Sequence, residues 1–169
     1  MKNKFQIFAE ITKLRITIFV TVTTMFGFIA ATDSINSQII LPALGILLLA
    51  CGSAALNHYQ ERKTDVLMER TKNRPIPSGK ISATTTFQIS IVLVLIGSIL
   101  LFIGSGFLAL SLGLLNLVWY NAVYTPLKKV SPLAIIPGSL VGAIPPVVGW
   151  VAGGGNLLDP QIILISFFF

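Results

Sequence analysis

The 169-residue chain is 54% hydrophobic and 11% charged, less than half the ~25% charge of a soluble domain, which makes it a membrane protein. Its net charge of +6 does not imply nucleic acid, because the basic residues form short clusters between apolar runs and lack the interleaved aromatics that stack on bases. One cysteine, Cys51, and one histidine, His58, exclude an internal disulfide, a cysteine cluster and a histidine-based zinc site; His58 is left without a role.

Residues 1–15 carry Lys2, Lys4, Lys13 and Arg15 against Glu10, with Phe5, Ile7, Phe8 and Ile11 between them. This reads as a short amphipathic approach lying on the membrane surface. Ile16 to Thr32 is uncharged and long enough for a first span. A cleaved signal peptide, with Ala30-Ala31-Thr32 near its cleavage site, is disfavoured because further spans follow at once. After the polar loop Asp33–Gln38, the uncharged stretch Ser34–Gln60 holds a second span.

That span runs without a break into Asn57-His58-Tyr59-Gln60-Glu61-Arg62-Lys63-Thr64-Asp65, continuing through Met68-Glu69-Arg70-Thr71-Lys72-Asn73-Arg74-Pro75. Asn57, Glu61 and Asp65 stand at i, i+4 and i+8, which stacks them on one helical face over roughly 12 Å. Three oxygen donors in one stripe suit a hard divalent cation such as Mg²⁺. The basic residues around them, Arg62, Lys63, Arg70, Lys72 and Arg74, suit an anion as well. A merely solvated helix end with acid/base pairs gives the same local pattern.

Pro75, Pro77 and Gly79 end that helix, and Ser82 is placed to cap the next. From Ile81 to Leu127 no charge occurs, enough for two spans at about 20 residues each, with the turn at Gly104-Ser105-Gly106. Trp119, Tyr120 and Tyr124 close the fourth span where an aromatic belt sits; Asn121 among them faces either the bundle interior or headgroups. After Lys128 and Lys129, a fifth span covers about Leu133 to Val151. Its Gly138 and Gly142, in GxxxG spacing, allow close helix contact. Pro145-Pro146 is expected to break its backbone ladder or to kink it. Beyond the turn Gly153–Asn156, Gln161 to Phe169 begins a sixth apolar run. Nine residues reach roughly 14 Å, half of a ~30 Å hydrocarbon core.

The expected fold is therefore all-α: a polytopic transmembrane helix bundle of five spans plus the start of a sixth. With the N-terminus in the cytoplasm, all 12 Lys and Arg residues fall on the cytoplasmic side and only Asp33 and Asp159 on the other, a strong positive-inside division. The polar face of the second span and Lys128-Lys129 then share one side of the membrane.

The run Asn57-x-x-x-Glu61-x-x-x-Asp65 followed by Met68-Glu69-Arg70-Thr71-Lys72-Asn73-Arg74-Pro75-Ile76-Pro77-Ser78-Gly79 resembles the first acidic motif of the UbiA-type intramembrane prenyltransferases. Tyr124-Thr125-Pro126-Leu127-Lys128-Lys129 and Gly138-x-x-x-Gly142-Ala143-x-Pro145-Pro146-x-x-Gly149-Trp150 are similar to its haem-farnesylating branch, the haem O synthases. The chain departs from the family pattern at Glu61, usually Asp, and at Lys129, usually Arg.

The resemblance implies a prenyltransferase of the bacterial inner (plasma) membrane that moves a farnesyl group from farnesyl diphosphate to a vinyl group of haem b, with Mg²⁺ as cofactor. Asn57, Glu61 and Asp65 are then the catalytic metal-binding set, and Arg62, Arg70, Lys128 and Lys129 the diphosphate-binding residues. The resemblance also implies about nine spans and a second acidic motif in a complete member. Residues 1–169 are therefore expected to be the N-terminal part of one transmembrane domain, cut in its sixth span and without independent activity. The competing readings are a prenyltransferase acting on an aromatic quinone precursor, and a non-enzymatic transporter or scaffold whose polar face lines a path.

Overall fold

The computed structural model describes residues 3–168, all helices and connections, with no strand among the described residues. A surface helix α1 (Lys4–Ile11) leads into α2 (Leu14–Thr32). Phe5 and Phe8 stay exposed while Ile11 and Thr12 are fully buried, so α1 lies against the bundle along one edge, as an amphipathic approach should. Lys13 joins the two helices in the left-handed region, at φ 50° and ψ 47°. For a residue with a Cβ that conformation costs about 1–2 kcal/mol. Along α2, the hydroxyls of Thr17, Thr21, Thr23, Thr24 and Thr32 donate to carbonyls three or four residues earlier, which satisfies them inside an apolar helix.

A 3₁₀ turn at Ser37–Ile39 starts α3 (Ile40–Asp65), in which the apolar run and the polar stretch form one continuous helix. Ser82 caps α4 (Ala83–Val118), its Oγ accepting from the Thr85 N–H at 2.9 Å. Four segments are long and apolar enough to cross a bilayer: Leu14–Thr32, Ser37–Asp65, Ala83–Leu127 and Pro132–Ala152. The third is two limbs rather than one rod. Gly106 sits at φ 76°, ψ −172°, a conformation only glycine takes readily. A Cβ on Gly113 would lie 2.9 Å from Cδ2 of Leu101, whereas twelve residues of straight helix would separate those positions by about 18 Å. The chain therefore doubles back within the Gly104-Ser105-Gly106 triplet, as its composition predicts, and makes the two crossings expected there.

From Trp119 to Tyr124 the helix widens into a π turn, followed by the single turn α5 (Thr125–Leu127). A 3₁₀ turn at Pro132–Ala134 then opens α6 (Ile135–Ala152), and α7 (Pro160–Phe168) follows.

The prolines and glycines of the fifth span act as their chemistry predicts, with partners the sequence did not name. Pro145 and Pro146 interrupt the backbone ladder of α6, as expected, although the helix itself continues through both. Pro145 has no N–H to give the carbonyl of Val141; Asn116 of α4 supplies the donor instead, its Nδ2 lying 3.3 Å from that oxygen. Gly138 of the GxxxG pair lets α6 approach the Tyr124 ring, and Gly149 makes a still closer approach, to α2. A Cβ on Gly149 would fall 1.8 Å from the Thr24 carbonyl oxygen of α2, so backbone meets backbone there. Small residues at such crossings substitute for the hydrophobic drive that lipid removes. The interior between α3, α4 and α6 is filled by Ile46, Leu49, Leu101, Ala109 and Val148.

Candidate functional site

Three chain segments distant in sequence converge at the polar end of α3. The first is Lys13 at the α1–α2 junction. The second is the α3 stripe with the loop that follows it; this loop curls back so that the Thr71 hydroxyl donates to the Asp65 carbonyl at 3.0 Å and Arg74 returns to the Asp65 side chain. The third is the π turn and α5, which bring Tyr120, Tyr124 and Lys128 to the same place. Together they wall a cavity of about 880 Å³. Lys13, Glu61, Asp65, Arg70, Arg74, Tyr120, Tyr124, Lys128 and Lys129 line its polar end, and Ile46, Leu49, Val141, Pro145 and Val148 its apolar end.

The two carboxylates are buried and fully engaged. One Arg74 nitrogen, Nη1, donates to Asp65 Oδ1 at 2.9 Å and Oδ2 at 2.8 Å, and lies 3.5 Å from Glu61 Oε2. Lys128 Nζ is 3.1 Å and Lys129 Nζ 3.9 Å from Glu61 Oε1. Lys13 Nζ donates to Asn57 Oδ1 at 2.8 Å and to Tyr120 Oη at 3.1 Å. Burial, and secondarily the nearby Lys128 and Arg74 charges, lower the Lys13 ammonium to about 8, which leaves it predominantly charged at pH 7. The wall thus carries five cationic side chains against two carboxylates, a clear bias towards an anion.

Of the residues marked out by sequence, Glu61, Asp65, Arg70, Lys128 and Lys129 reach the cavity and two do not. Arg62 is turned away: its guanidinium stacks 4.0 Å over the Tyr59 ring and donates to the Tyr59 carbonyl at 2.7 Å. Following Glu61 directly, it lies about 100° further round the helix. Asn57 is fully buried behind the wall. Lys13, Tyr120 and Tyr124 are cavity residues that the motif reading did not assign, and Arg74, read only as one of the cations near the stripe, lines the cavity as well. Tyr120 and Tyr124, expected in a lipid-facing belt, stack on each other at 5.6 Å and face the cavity. Their spacing to Lys128, i, i+4 and i+8, repeats the acidic stripe and is the signal that could have found them. Asn121 faces inward, bonded to Ser53.

Glu61 and Asp65 suit Mg²⁺ on their donor chemistry: this ion takes one or two carboxylates and completes its shell with substrate phosphates and water. No group of three or more His, Cys, Asp or Glu side chains gathers among the described residues, so the donors present fit a metal shared with a phosphate better than an all-protein cage.

The profile of the UbiA prenyltransferase family matches residues 19–169. The chain belongs to the UbiA prenyltransferase family. Curated relatives of the family named protoheme IX farnesyltransferase include one from Oleidesulfovibrio alaskensis, 35% identical over 90% of this chain and 54% of its own length. Another, from Christiangramia forsetii, is 37% identical over 95% of this chain and 54% of its own length. The chain therefore spans about half the length of the curated relatives it matches. Among solved structures, digeranylgeranylglyceryl phosphate synthase superposes with a TM-score of 0.85 at 18% identity, covering 96% of this chain and 57% of that one. A UbiA homologue from Archaeoglobus fulgidus, bound to DMAPP and Mg²⁺, gives a TM-score of 0.78 at 16% identity, with 95% of this chain and 59% of that one covered. These likenesses establish the fold of an integral membrane prenyltransferase family.

Proposed function

We propose that residues 1–169 carry the prenyl-diphosphate-binding portion of a haem-farnesylating prenyltransferase: they are the N-terminal part of a single transmembrane domain, in the plasma membrane with the N-terminus cytoplasmic. The observation that carries this reading is the cavity itself, cationic around two carboxylates at one end and apolar at the other. That is the shape and polarity of an allylic diphosphate with its isoprenoid tail. The names of the curated relatives, protoheme IX farnesyltransferase, support farnesyl diphosphate as donor and haem b as acceptor.

The reaction requires the C1–O bond of the donor to break, with the electron pair leaving on the diphosphate. The allylic cation then joins a haem vinyl carbon, and water adds to the resulting cation with loss of a proton. Catalysis of the first step means stabilising charge that grows on the departing oxygens. Arg70, Lys128 and Lys129, which line the cavity with Arg74, would bind those oxygens. Glu61 and Asp65 would hold Mg²⁺, which supplies Lewis-acid neutralisation of the leaving group when bound. The wall formed by Ile46, Leu49, Val141, Pro145 and Val148 would take the isoprenoid chain and keep water from the cation.

The test uses the intact protein in detergent, given farnesyl diphosphate, Mg²⁺ and either haem b or 4-hydroxybenzoate. Haem O formation is expected, and prenylation of the benzoate instead would move the assignment to the quinone-precursor branch. Asp65→Ala should cut diphosphate release at least about a hundredfold while the circular dichroism stays helical; retained release removes Asp65 from the mechanism. Solute counterflow without diphosphate release would point to a transporter.

A further inference from the structure

Asn57 is the member of the acidic stripe that the cavity does not touch. It is 0% exposed, and both ends of its carboxamide are committed. Oδ1 accepts from Lys13 Nζ at 2.8 Å, and Nδ2 donates to the Thr125 hydroxyl at 3.1 Å. Thr125 lies in α5, the turn that presents Lys128. One buried amide therefore ties the α1–α2 junction to the third segment of the site, across 44 residues on one side and 68 on the other.

What Asn57 holds is a cation unlike Arg74 and Lys128. Arg74 and Lys128 spend charge on Glu61 and Asp65. Lys13 is instead bonded to two neutral oxygens, of Asn57 and Tyr120, which fix the ammonium in place without neutralising it. Its backbone stands in the left-handed region, and its side chain lines the cavity. A cation so fixed, with no carboxylate in ion-pair contact, is preorganised for an anionic ligand. A metal shared with a phosphate has to sit in the cavity, and Asn57 does not open onto it.

We infer that Asn57 is a positioning residue rather than a metal ligand: it fixes Lys13 as a diphosphate-binding cation of this site. The inference rests on the diphosphate reading above, and its test separates the two.

Inorganic pyrophosphate is titrated calorimetrically into the intact protein at fixed Mg²⁺. Separately, Mg²⁺ is titrated at saturating pyrophosphate. The variants are Lys13→Met, Asn57→Ala and the two combined. Each single change should weaken pyrophosphate binding about tenfold, the scale of one charge-assisted hydrogen bond. Because both act through one ammonium, the double variant should bind no worse than Lys13→Met alone. The Mg²⁺ half-saturation of Asn57→Ala should move less than twofold. Additive losses, or a Mg²⁺ shift as large as that of Asp65→Asn, overturn the assignment and make Asn57 a ligand. Tyr120→Phe removes the other Lys13 partner and only one oxygen; it should also weaken pyrophosphate binding, and also without adding to Lys13→Met. If Asn57→Ala does not fold, that pair decides, and additive losses in it overturn the anchoring of Lys13. No pyrophosphate binding by the unaltered protein sinks the diphosphate reading and this inference with it. Binding that is intact but unaffected by Lys13→Met sinks this inference alone.

Discussion

The two ends of α3 are held by different physics. In its apolar half the helix is locked to α4 by backbone contact. A Cβ on Gly97 would lie 2.7 Å from the Leu49 nitrogen and 2.8 Å from the Gly45 carbonyl oxygen, and the Ser90 hydroxyl donates to the Gly52 carbonyl at 2.9 Å. In its polar half, Asn57, Glu61 and Asp65 are held by long cationic side chains from three other segments. The first kind of contact leaves no room and fixes shape. The second surrounds a cavity and can be re-partnered, because a diphosphate offers Arg74 or Lys128 oxygens of the same kind that Glu61 and Asp65 now provide. A rigid half thus aims a half whose contacts can change.

The comparison breaks most visibly at Gly97. Gly97→Val places methyl groups against backbone atoms that cannot move aside, and overpacking of this kind costs about 1–3 kcal/mol or more. The expected result is a large drop in detergent thermal stability; an unchanged melting profile would mean that α3 and α4 are not locked. Glu61→Gln probes the other end. It keeps the shape and removes one charge from between Lys128, Lys129 and Arg74. The Mg²⁺ needed for half-maximal pyrophosphate binding should rise about tenfold or more, with much less change in melting than Gly97→Val. A stability loss as large as that of the glycine variant would erase the distinction between the two halves.

The sequence made the apolar half legible in outline and the polar half only along α3. Spans and their order follow from runs of uncharged residues, and the reversal at Gly106 was marked by two glycines close together. Glu61 and Asp65 were legible because i, i+4 is a local relation that any helix enforces. Lys13 was not assigned, because it meets α3 from 44 residues away, and Arg74 was read as a nearby cation without its Asp65 partner, because an irregular loop with no period brings it back. Tyr120 and Tyr124 were placed at the end of the fourth span but not on the cavity face they occupy. Composition sets the level of an aromatic in the bilayer, while the π turn at Trp119–Tyr124 sets its direction. The prolines of α6 were legible as an interruption of its ladder, but not the donor that serves the Val141 carbonyl, because that donor comes from another helix.

That donor gives the next prediction. Asn116→Leu leaves the partly buried Val141 carbonyl without the bond that Pro145 cannot provide, a loss of about 1 kcal/mol. The loss should show as lower thermal stability with pyrophosphate affinity nearly kept, because Asn116 lies in the apolar half. Combining Asn116→Leu with Pro145→Ala, which restores an N–H to α6, should recover most of the loss. Failure of that rescue would mean that the Asn116 contact does not compensate for the proline.

The smallest effect is expected at Arg62, although it adjoins Glu61 and carries the same charge as the cavity residues. Its guanidinium is occupied by the Tyr59 ring and carbonyl, and the Tyr59 ring in turn packs 4.8 Å from Phe87 of α4. Arg62 therefore braces the α3–α4 contact from outside the site. A half-exposed cation–π contact is worth about 0.5–1 kcal/mol, so Arg62→Ala should lower stability slightly and leave pyrophosphate affinity within about twofold. Arg70→Ala, on the cavity wall, should weaken the same binding several-fold. If the two variants behaved alike in pyrophosphate titrations, the charge would be acting through the general field of the helix end. The division into a wall that binds and an outer face that braces would then fail.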